Sequence, residues 1–216
     1  MPRRNERDKN RRDQVRGRTP SQKKQEVVDL PMEDVREAVT ALKKGKIILY
    51  PTDTIYGIGC DATNYDAVEE LYKIKERDPA KSLIILVDSF DMLDRYIEEV
   101  PEMAWQVLKL NKKPLTIIYD RPKAVAENLI ATDNTLAIRV TNDPVCRALI
   151  RGLRKPIVST SANLSGEKTP VGFIDISEEL KNRIDHILDL PLAKTNVPPS
   201  SIIKISNDGT MKILRK

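Results

Sequence analysis

The amino-acid sequence predicts an α/β fold in which helices flank a single twisted sheet of mixed strand direction. Short apolar, β-branched segments alternate with segments in which apolar residues recur at helical spacing. Near the end of the chain two strand-like segments follow each other closely, as in a hairpin, which adds antiparallel pairing to the pattern. No repeat and no second composition divides residues 33–216, so we expect one compact domain.

The helices are recognised by apolar stripes and by capping residues. Asn64 is the expected N-cap of one helix, and Asp143, followed by Pro144 in the first turn, caps another. The predicted helices cover residues 33–45, 64–77, 89–99, 101–111, 143–154 and about 177–184. Pro51 is expected to stop the first strand. The predicted strands cover residues 46–50, 82–87, 115–120, 135–140, 156–159, 186–190, 200–206 and 211–216.

The net charge of +5 is concentrated at the start of the chain. Residues 1–24 contain ten Lys or Arg and three Asp or Glu, whereas the remaining residues together carry a net charge of −2. A single valine is the only large apolar residue after Met1 in this segment, so we expect a disordered basic tail. The tail contacts RNA phosphates in one interpretation and is a solubilising extension in the other.

Composition argues against several classes of function. The apolar run at residues 83–87 is too short to span a bilayer, and no signal-peptide pattern follows the basic start, so we expect a cytoplasmic protein without a membrane partner. Cys60 and Cys146 have apolar neighbours and no metal-ligand spacing, which predicts buried free thiols. His186 is the only histidine and lies in an apolar segment, which argues against a catalytic triad and a zinc site.

Polar segments at the ends of predicted strands are the candidates for a ligand site. The first, residues 50–64, contains Thr52, Asp53, Thr54 and Tyr56, followed by two glycines that let the backbone turn closely. Short hydroxyl residues after a strand are typical of loops that orient a ligand. They are equally typical of turns and caps, and the segment alone does not decide between the two.

The second candidate is "KIKERDPAK" at residues 73–81. Lys75 and Arg77 lie at the end of a predicted helix, where the helix dipole favours cations in any case. Together with Lys81 they could also converge on a polyphosphate. The sequence contains neither a Walker motif nor a dinucleotide-binding glycine motif, so a nucleotide site would need another design.

The third candidate is "STSAN" at residues 159–163. Ser161 and Asn163 are two positions apart, so in an extended chain their side chains would point to the same side. Their hydroxyl and amide groups could bind phosphate or ribose oxygens, or metal-bound water. A cap or a turn is the alternative explanation for so many small polar residues.

Five motifs, each weak on its own, occur in the order typical of one family. They are "YPTDTIYGIGCDA", the Lys-x-Arg of "KIKERDPAK", "KKPLTII", "LAIRV" and "STSANLSG". In this combination residues 33–216 resemble the YrdC/Sua5 family of threonylcarbamoyl-adenylate synthases, and in length they resemble its short YrdC type. The resemblance implies a YrdC-like catalytic domain whose twisted mixed sheet encloses a large concave cavity with a positive lining.

The resemblance also implies an activity. Such proteins form threonylcarbamoyl-AMP and pyrophosphate from three substrates: ATP, L-threonine and bicarbonate. The ATP acts together with Mg²⁺. The product then serves a tRNA threonylcarbamoyl transferase complex that modifies adenosine 37 of tRNAs reading ANN codons. One alternative is a non-catalytic RNA-binding protein of the same fold that uses the basic tail or the cavity. Another is a YciO-type relative of different activity, which lacks the Lys-x-Arg and Ser-x-Asn residues that this chain has.

Site residues follow from the resemblance, position by position. It assigns ATP binding to Lys75, Arg77, Lys81, Thr116, Ser161, Ala162, Asn163 and Arg215. It assigns L-threonine binding to Thr54, Arg139, Thr160 and Ser200, and a catalytic role to Lys75, Arg77, Ser161 and Asn163. No protein-held metal is implied. Leu86 stands where many relatives have a histidine, and this is one departure from the family pattern.

Overall fold

The computed structural model describes residues 30–78, 83–192, 197 and 199–216. In this part of the chain nine strands form one sheet: β1 (Ile48–Pro51), β2 (Tyr56–Gly59), β3 (Ile84–Val87), β4 (Leu115–Asp120), β5 (Thr135–Val140), β6 (Ile157–Ser161), β7 (His186–Ile187), β8 (Ser201–Ile205) and β9 (Met211–Arg215). Their order across the sheet is β7-β1-β2-β6-β3-β5-β4-β8-β9. The predicted basic tail at 1–24 lies outside the described residues.

The strands pair in both directions, which confirms the predicted mixed sheet. The pairs β1–β7, β3–β5 and β4–β8 are parallel. The other neighbouring strands are antiparallel, and β8 and β9 form the predicted hairpin near the end of the chain. A strand from one part of the sequence therefore lies beside strands from distant parts, and polar residues that follow different strands can meet.

Six α-helices accompany the sheet in the described residues: α1 (Met32–Lys43), α2 (Tyr65–Lys75), α3 (Phe90–Tyr96), α4 (Glu102–Leu110), α5 (Pro144–Leu153) and α6 (Glu178–Asn182). Both predicted N-caps are confirmed, because the side chains of Asn64 and Asp143 accept hydrogen bonds from the backbone N–H groups of Ala67 and Cys146. Such caps satisfy backbone donors that have no partner within the helix. None of these helices combines the length and apolar character needed to cross a membrane.

The core is one apolar cluster that extends through the sheet and the inner faces of the helices. The predicted stripe of α2 is confirmed, since its apolar side chains are buried: Ala67, Val68, Leu71, Tyr72 and Ile74. Cys60 and Cys146 are buried free thiols, as expected. Burial raises the pKa of both thiols, which keeps them protonated and unreactive.

The prediction that the glycines of residues 56–59 serve a turn is wrong. These residues form β2, which lies between β1 and β6. A Cβ atom on Gly59 would lie 1.8 Å from the carbonyl oxygen of Val158 in β6. The glycine is therefore needed because the neighbouring strand approaches closely.

Several predicted boundaries are also wrong. β1 begins at Ile48 and includes Pro51, which pairs with Tyr56 at the strand end, where a proline is tolerated. The strand predicted at 186–190 is reduced to β7, because only its first two residues pair with β1. The strand predicted at 156–159 is observed as β6, which begins at Ile157 and runs to Ser161, and a bend follows at residues 162–163.

Candidate functional site

An open cleft of about 270 Å³ lies between the β1–β2 connection, the end of β6 and the β8–β9 hairpin. It is lined by Thr52, Thr54, Ile55, Gly57, Arg77, Leu83, Ile84, Arg139, Ser159, Thr160, Ser161, Thr169, Pro199, Ser200, Ile202 and Arg215. The lining brings together residues that the family resemblance assigned to both substrates: Thr54, Arg77, Arg139, Thr160, Ser161, Ser200 and Arg215. These residues follow different strands and helices, and the mixed sheet places them around one opening.

The β1–β2 connection is a tight turn built around the hydroxyl of Thr52. Its Oγ1 accepts hydrogen bonds from the backbone N–H groups of Thr54 at 3.1 Å and Ile55 at 3.3 Å. The same hydroxyl donates to the carbonyl oxygen of Ile55 at 2.7 Å and lies 3.0 Å from the hydroxyl of Thr54. A side chain that bonds its own neighbouring backbone in this way fixes the turn. The turn holds the hydroxyl of Thr54 at the cleft.

One of the lining arginines, Arg139, forms an ion pair with a residue outside the lining. Arg139 of β5 is only 4% exposed, and its Nη2 lies 3.2 Å from Oδ1 of Asp53 in the β1–β2 connection. The Nε of Arg139 is buried and has no hydrogen-bond partner in the described residues. The guanidinium therefore has N–H groups that remain to bind an anion in the cleft.

The β8–β9 hairpin supplies a second arginine and a hydroxyl. Arg215 donates from Nε and Nη2 to the carbonyl oxygen of Ser200, at 3.0 and 2.7 Å. The hydroxyl of Ser200 lies 2.9 Å from that of Thr116, which is fully buried in β4. Burial and, as a second cause, the charge of Arg139 lower the pKa of Arg215. Arg139 and Arg215 therefore lie near enough to repel each other, and an anion between them would relieve this repulsion.

The end of β6 is fastened by a lysine from α2. Nζ of Lys75 donates to the carbonyl oxygen of Ser161 at 2.6 Å and also to the carbonyl oxygen of Asn163. Lys75 is 1% exposed, and burial is the main cause that lowers its pKa to about 8, followed by the charge of Arg77. The amide of Asn163 donates to the carbonyl oxygens of Leu164 and Glu167. Lys75 and Asn163 therefore organise the bend after β6.

Arg77 follows α2 in a fixed backbone position. The helix ends at Lys75, and the next residue, Glu76, caps it in the left-handed conformation, with φ of 48°. The backbone N–H of Arg77 donates to the carbonyl oxygen of Tyr72, the six-residue closure of a Schellman motif. This closure turns the chain at the helix end, and Arg77 lines the cleft.

Some residues assigned by the resemblance lie outside the cleft lining. In the described residues Lys75, Thr116, Ala162 and Asn163 do not line it, although each contacts or adjoins a residue that does. The backbone N–H of Ala162 is already bonded to the carbonyl oxygen of Tyr56. Lys81 lies outside the described residues.

Three hydroxyl-bearing lining residues were not predicted as site residues: Thr52, Ser159 and Thr169. Thr52 and Ser159 belong to the polar segments that the sequence does single out, so their composition was the available signal. Thr169 follows β6 by several residues, and its presence depends on how the chain returns to the cleft. Nothing in the local sequence indicates this return.

The electrostatics of the cleft favour a negatively charged ligand. Among the described lining residues are three arginines, Arg77, Arg139 and Arg215, and no aspartate or glutamate. Several hydroxyls stand beside these cations. Arginines and hydroxyls around one cleft are suited to bind carboxylate or phosphate groups.

The fold and the cleft define an α/β protein with an open cleft whose arginines and hydroxyls suit an anionic ligand. Residues 40–216 match the family model Sua5_yciO_yrdC, which is described as "Telomere recombination". The chain belongs to this family.

Similar proteins agree with this assignment. The chain is 35% identical over 171 residues to the threonylcarbamoyl-AMP synthase of Pseudoalteromonas translucida, covering 78% of this chain and 91% of that protein. The structure of P. abyssi Sua5 complexed with L-threonine is similar with a TM-score of 0.76 and 28% identity, over 84% of this chain and 53% of that one. This chain therefore spans about half the length of that structure. E. coli YciO is similar with a TM-score of 0.73 and 27% identity, over 84% of this chain and 88% of that one.

Proposed function

We propose that this chain is an L-threonylcarbamoyladenylate synthase, which forms threonylcarbamoyl-AMP and pyrophosphate from ATP, L-threonine and bicarbonate. One observation carries the proposal: three arginines and a row of hydroxyls meet in one cleft whose described lining has no carboxylate. Such a site can hold two anionic substrates together. The relative in Pseudoalteromonas translucida, which is named for this activity, supports the same function.

The nucleotide half of the site is formed by Arg77, Ser161 and Arg215. Arg77 and Arg215 bind the phosphates through charge-assisted hydrogen bonds. The hydroxyl of Ser161 forms a hydrogen bond with a further oxygen of the nucleotide. Both arginines and Ser161 line the cleft, which supports these roles. Lys81 is proposed as an additional phosphate contact.

The amino-acid half of the site is formed by Arg139 and the hydroxyls of Thr54, Thr160 and Ser200. Arg139 pairs with the carboxylate of threonine, because a guanidinium can bind a carboxylate through two parallel hydrogen bonds. The hydroxyls form hydrogen bonds with the remaining polar groups of the substrate. The similarity to P. abyssi Sua5, whose structure is a complex with L-threonine, supports this half of the proposal.

The reaction joins two anions, which sets the electrostatic requirement. Bicarbonate and the neutral threonine amine first give N-carboxy-threonine: the C–N bond forms, the C–O bond to the bicarbonate hydroxyl breaks, and the hydroxyl leaves as water with a proton from the amine. One oxygen of its new carboxylate forms a bond to the α-phosphorus, while the bond between that phosphorus and the bridging oxygen of pyrophosphate breaks. The cleft arginines lower the repulsion between the carboxylate and the phosphates. Holding both reactants in line supplies much of the remaining acceleration.

Mg²⁺ is proposed to enter with ATP. In the described part of the chain no group of three His, Cys, Asp or Glu side chains could hold a metal ion. The hydroxyls in the cleft are neutral oxygen donors, which suit the water shell that Mg²⁺ retains when it is bound mainly by phosphates. Bound in this way, the ion would neutralise phosphate charge, and Thr160 and Ser161 would contact its waters.

Lys75, Ala162, Asn163 and Thr116 support the residues that contact the substrates. Lys75 and Asn163 hold the bend after β6, and the backbone of Ala162 joins that bend to β2. Thr116 holds the hydroxyl of Ser200. A rigid site of this kind keeps its donors aimed at the ligand before the ligand arrives.

The remaining parts of the proposal concern the rest of the chain and its partners. Residues 33–216 form the catalytic domain, and the basic residues 1–24 are a tail that can contact RNA phosphates. The product passes to a tRNA threonylcarbamoyl transferase in the cytoplasm, where tRNA modification takes place.

Substrate dependence of pyrophosphate release tests the proposed function. The purified protein is incubated with ATP and Mg²⁺, with and without L-threonine and bicarbonate, and threonylcarbamoyl-AMP is identified by mass spectrometry. We expect pyrophosphate only when both co-substrates are present. Rapid release without either of them would contradict the proposal, and RNA binding without any turnover would favour the non-catalytic alternative.

A further inference from the structure

Asp53 does not line the cleft, yet its carboxylate contacts the most buried cation there. Oδ1 of Asp53 lies 3.2 Å from Nη2 of Arg139, and this oxygen is buried without any hydrogen-bond partner in the described residues. Of the two side chains, that of Arg139 is 4% exposed and that of Asp53 is 28% exposed. The ion pair is therefore the principal polar contact of both atoms.

Arg139 depends on this contact for its orientation. Asp53 is its only ion-pair partner among the described residues, and its Nε has no hydrogen bond. An arginine side chain has several rotatable bonds, and a buried guanidinium without a partner is strongly disfavoured. Without Asp53, the guanidinium would move toward other acceptors or toward water.

The backbone of Asp53 is held in a tight turn. It stands between Thr52 and Thr54 in the turn that is built around the Thr52 hydroxyl. Asp53 also lines a second cavity of about 170 Å³, together with Val140 and Asn142. Arg139 lines the cleft and Asp53 lines the second cavity, so their ion pair joins the two linings.

We propose that Asp53 is a positioning residue that fixes the guanidinium of Arg139 so that its remaining N–H groups receive the carboxylate of the amino-acid substrate. The inference rests on the proposed function and deepens it. Asp53 touches neither substrate and acts only through Arg139.

Two effects of the Asp53 charge oppose each other. Its negative charge repels the substrate carboxylate, whereas the ion pair keeps Arg139 aimed at that carboxylate. We expect the lost orientation of Arg139 to have the larger effect on binding, because Arg215, whose charge interacts with that of Arg139, keeps the cleft positive with or without Asp53. Bidentate binding of a carboxylate also requires a fixed guanidinium plane.

The decisive substitution is Asp53→Asn, which keeps the size of the side chain and removes its charge. We expect the KM for L-threonine to rise at least tenfold, with the KM for ATP changed less than twofold. Asp88→Asn is the matched control, because Asp88 also lies 3.2 Å from an arginine, Arg151, and lines none of the cleft. This control should leave both KM values within twofold of the parent protein.

A double-mutant cycle tests whether Asp53 acts through Arg139. Arg139→Met alone should raise the KM for L-threonine strongly, and Asp53→Asn added to it should change that KM less than twofold further. Independent, multiplying effects of the two substitutions would overturn the inference. So would an Asp53→Asn protein whose KM for L-threonine equals or falls below that of the parent.

Failure of the proposed function would be visible separately, because the parent protein would then form no threonylcarbamoyl-AMP. In that case the ion pair is tested by NMR of the arginine Nε–H groups in the ligand-free protein. The Arg139 resonance should broaden or shift in Asp53→Asn and stay unchanged in Asp88→Asn. If Asp53→Asn does not fold, Asp53→Ser takes its place, because it also removes the carboxylate, and an unchanged KM for L-threonine or an unchanged Arg139 resonance would overturn the inference.

Discussion

The ammonium nitrogen of Lys75 lies 2.6 Å from the carbonyl oxygen of Ser161, which joins the last turn of α2 to the end of β6. The same nitrogen contacts the carbonyl oxygen of Asn163. A lysine has three N–H donors, and here the main chain of the bend takes two of them. The position of Lys75 therefore suits a residue that holds Ser161 in place more than one that reaches into the cleft.

We expect Lys75→Met to loosen this bend. Two carbonyl oxygens would lose the ammonium donor, but that of Ser161 keeps the backbone N–H of Asn163 at 3.0 Å. The carbonyl oxygen of Asn163 has no other donor in the described residues, and an unsatisfied acceptor costs about 1–3 kcal/mol, offset in part by the ammonium that need no longer be buried. Synthesis of threonylcarbamoyl-AMP should fall at least tenfold.

Urea unfolding measures the change in stability of Lys75→Met, and pyrophosphate release measures its change in activity. Lys73→Met is the control, because Lys73 is on the same helix but is exposed, and among the described residues its ion-pair partner is Glu69 alone. Equal activities of the two variants would contradict the role of Lys75.

The activity should decrease at alkaline pH with an apparent pKa near that of Lys75. Burial and then the charge of Arg77 lower this pKa from 10.5 to about 8, so the folded protein loses the proton before the unfolded chain does. Between these two values the unfolded chain binds more protons, and the contribution of Lys75 to the free energy of unfolding rises with pH. The neutral amine nevertheless has one donor fewer for the bend.

A pH–rate profile at fixed bicarbonate concentration checks this expectation. Lys75→Arg keeps a cation that does not titrate in this range, so its profile should lack the decrease near pH 8. The same decrease in Lys75→Arg would assign the titration to another group.

We expect Gly59→Ala to disrupt the centre of the sheet. The added Cβ would lie 1.8 Å from the carbonyl oxygen of Val158, so β2 and β6 would have to separate. Overpacking against a rigid backbone typically costs 1–3 kcal/mol or more, and we expect a loss of at least about 3 kcal/mol here. Urea unfolding measures this loss in the free energy of unfolding.

Gly172→Ala is the control, because its added Cβ would come no closer than 3.8 Å to Asp175. Similar stabilities of the two variants would be inconsistent with the close approach of β6.

Arg77→Ala should weaken the use of ATP. Removal of a charge-assisted phosphate contact in a desolvated site costs about 2–5 kcal/mol, which corresponds to roughly 30-fold to several thousand-fold in kcat/KM. Steady-state kinetics with ATP varied provide the measurement. Arg95→Ala serves as the control, since Arg95 is an exposed residue of α3 that bonds only the carbonyl oxygen of Asp91 in the described structure. Parent-like kinetics in Arg77→Ala would mean that this cation serves only the helix end.

Deletion of residues 1–24 should separate RNA binding from synthesis. These residues hold a charge of +7, so nonspecific RNA affinity should reside in them and fall steeply with salt through counterion release. The cleft residues all lie beyond residue 50, so synthesis should stay within twofold of the parent. Both activities are measured at two salt concentrations. Loss of synthesis in a folded truncated protein would mean that the tail takes part in catalysis.

The sequence alone determined the elements whose signals are local. The apolar stripe of α2 and the caps at Asn64 and Asp143 are confirmed, because helical periodicity and side-chain capping involve residues only three or four positions apart. The central strands β4 and β5 have the predicted bounds, because a short β-branched run between turn signals has few alternatives.

Only the tertiary structure decided features that depend on a distant partner. The need for glycine at position 59 of β2 becomes apparent only from the neighbouring Val158, which is about a hundred positions away, so composition indicated a turn where a strand exists. The motifs identified polar segments at strand ends, but not that Lys75 faces the backbone of the bend while Arg77, two positions later, lines the cleft. The role proposed for Asp53 likewise depends on a guanidinium that β5 brings beside it. Periodicity records which face of an element is buried, whereas contacts across a sheet are set by strand order and register.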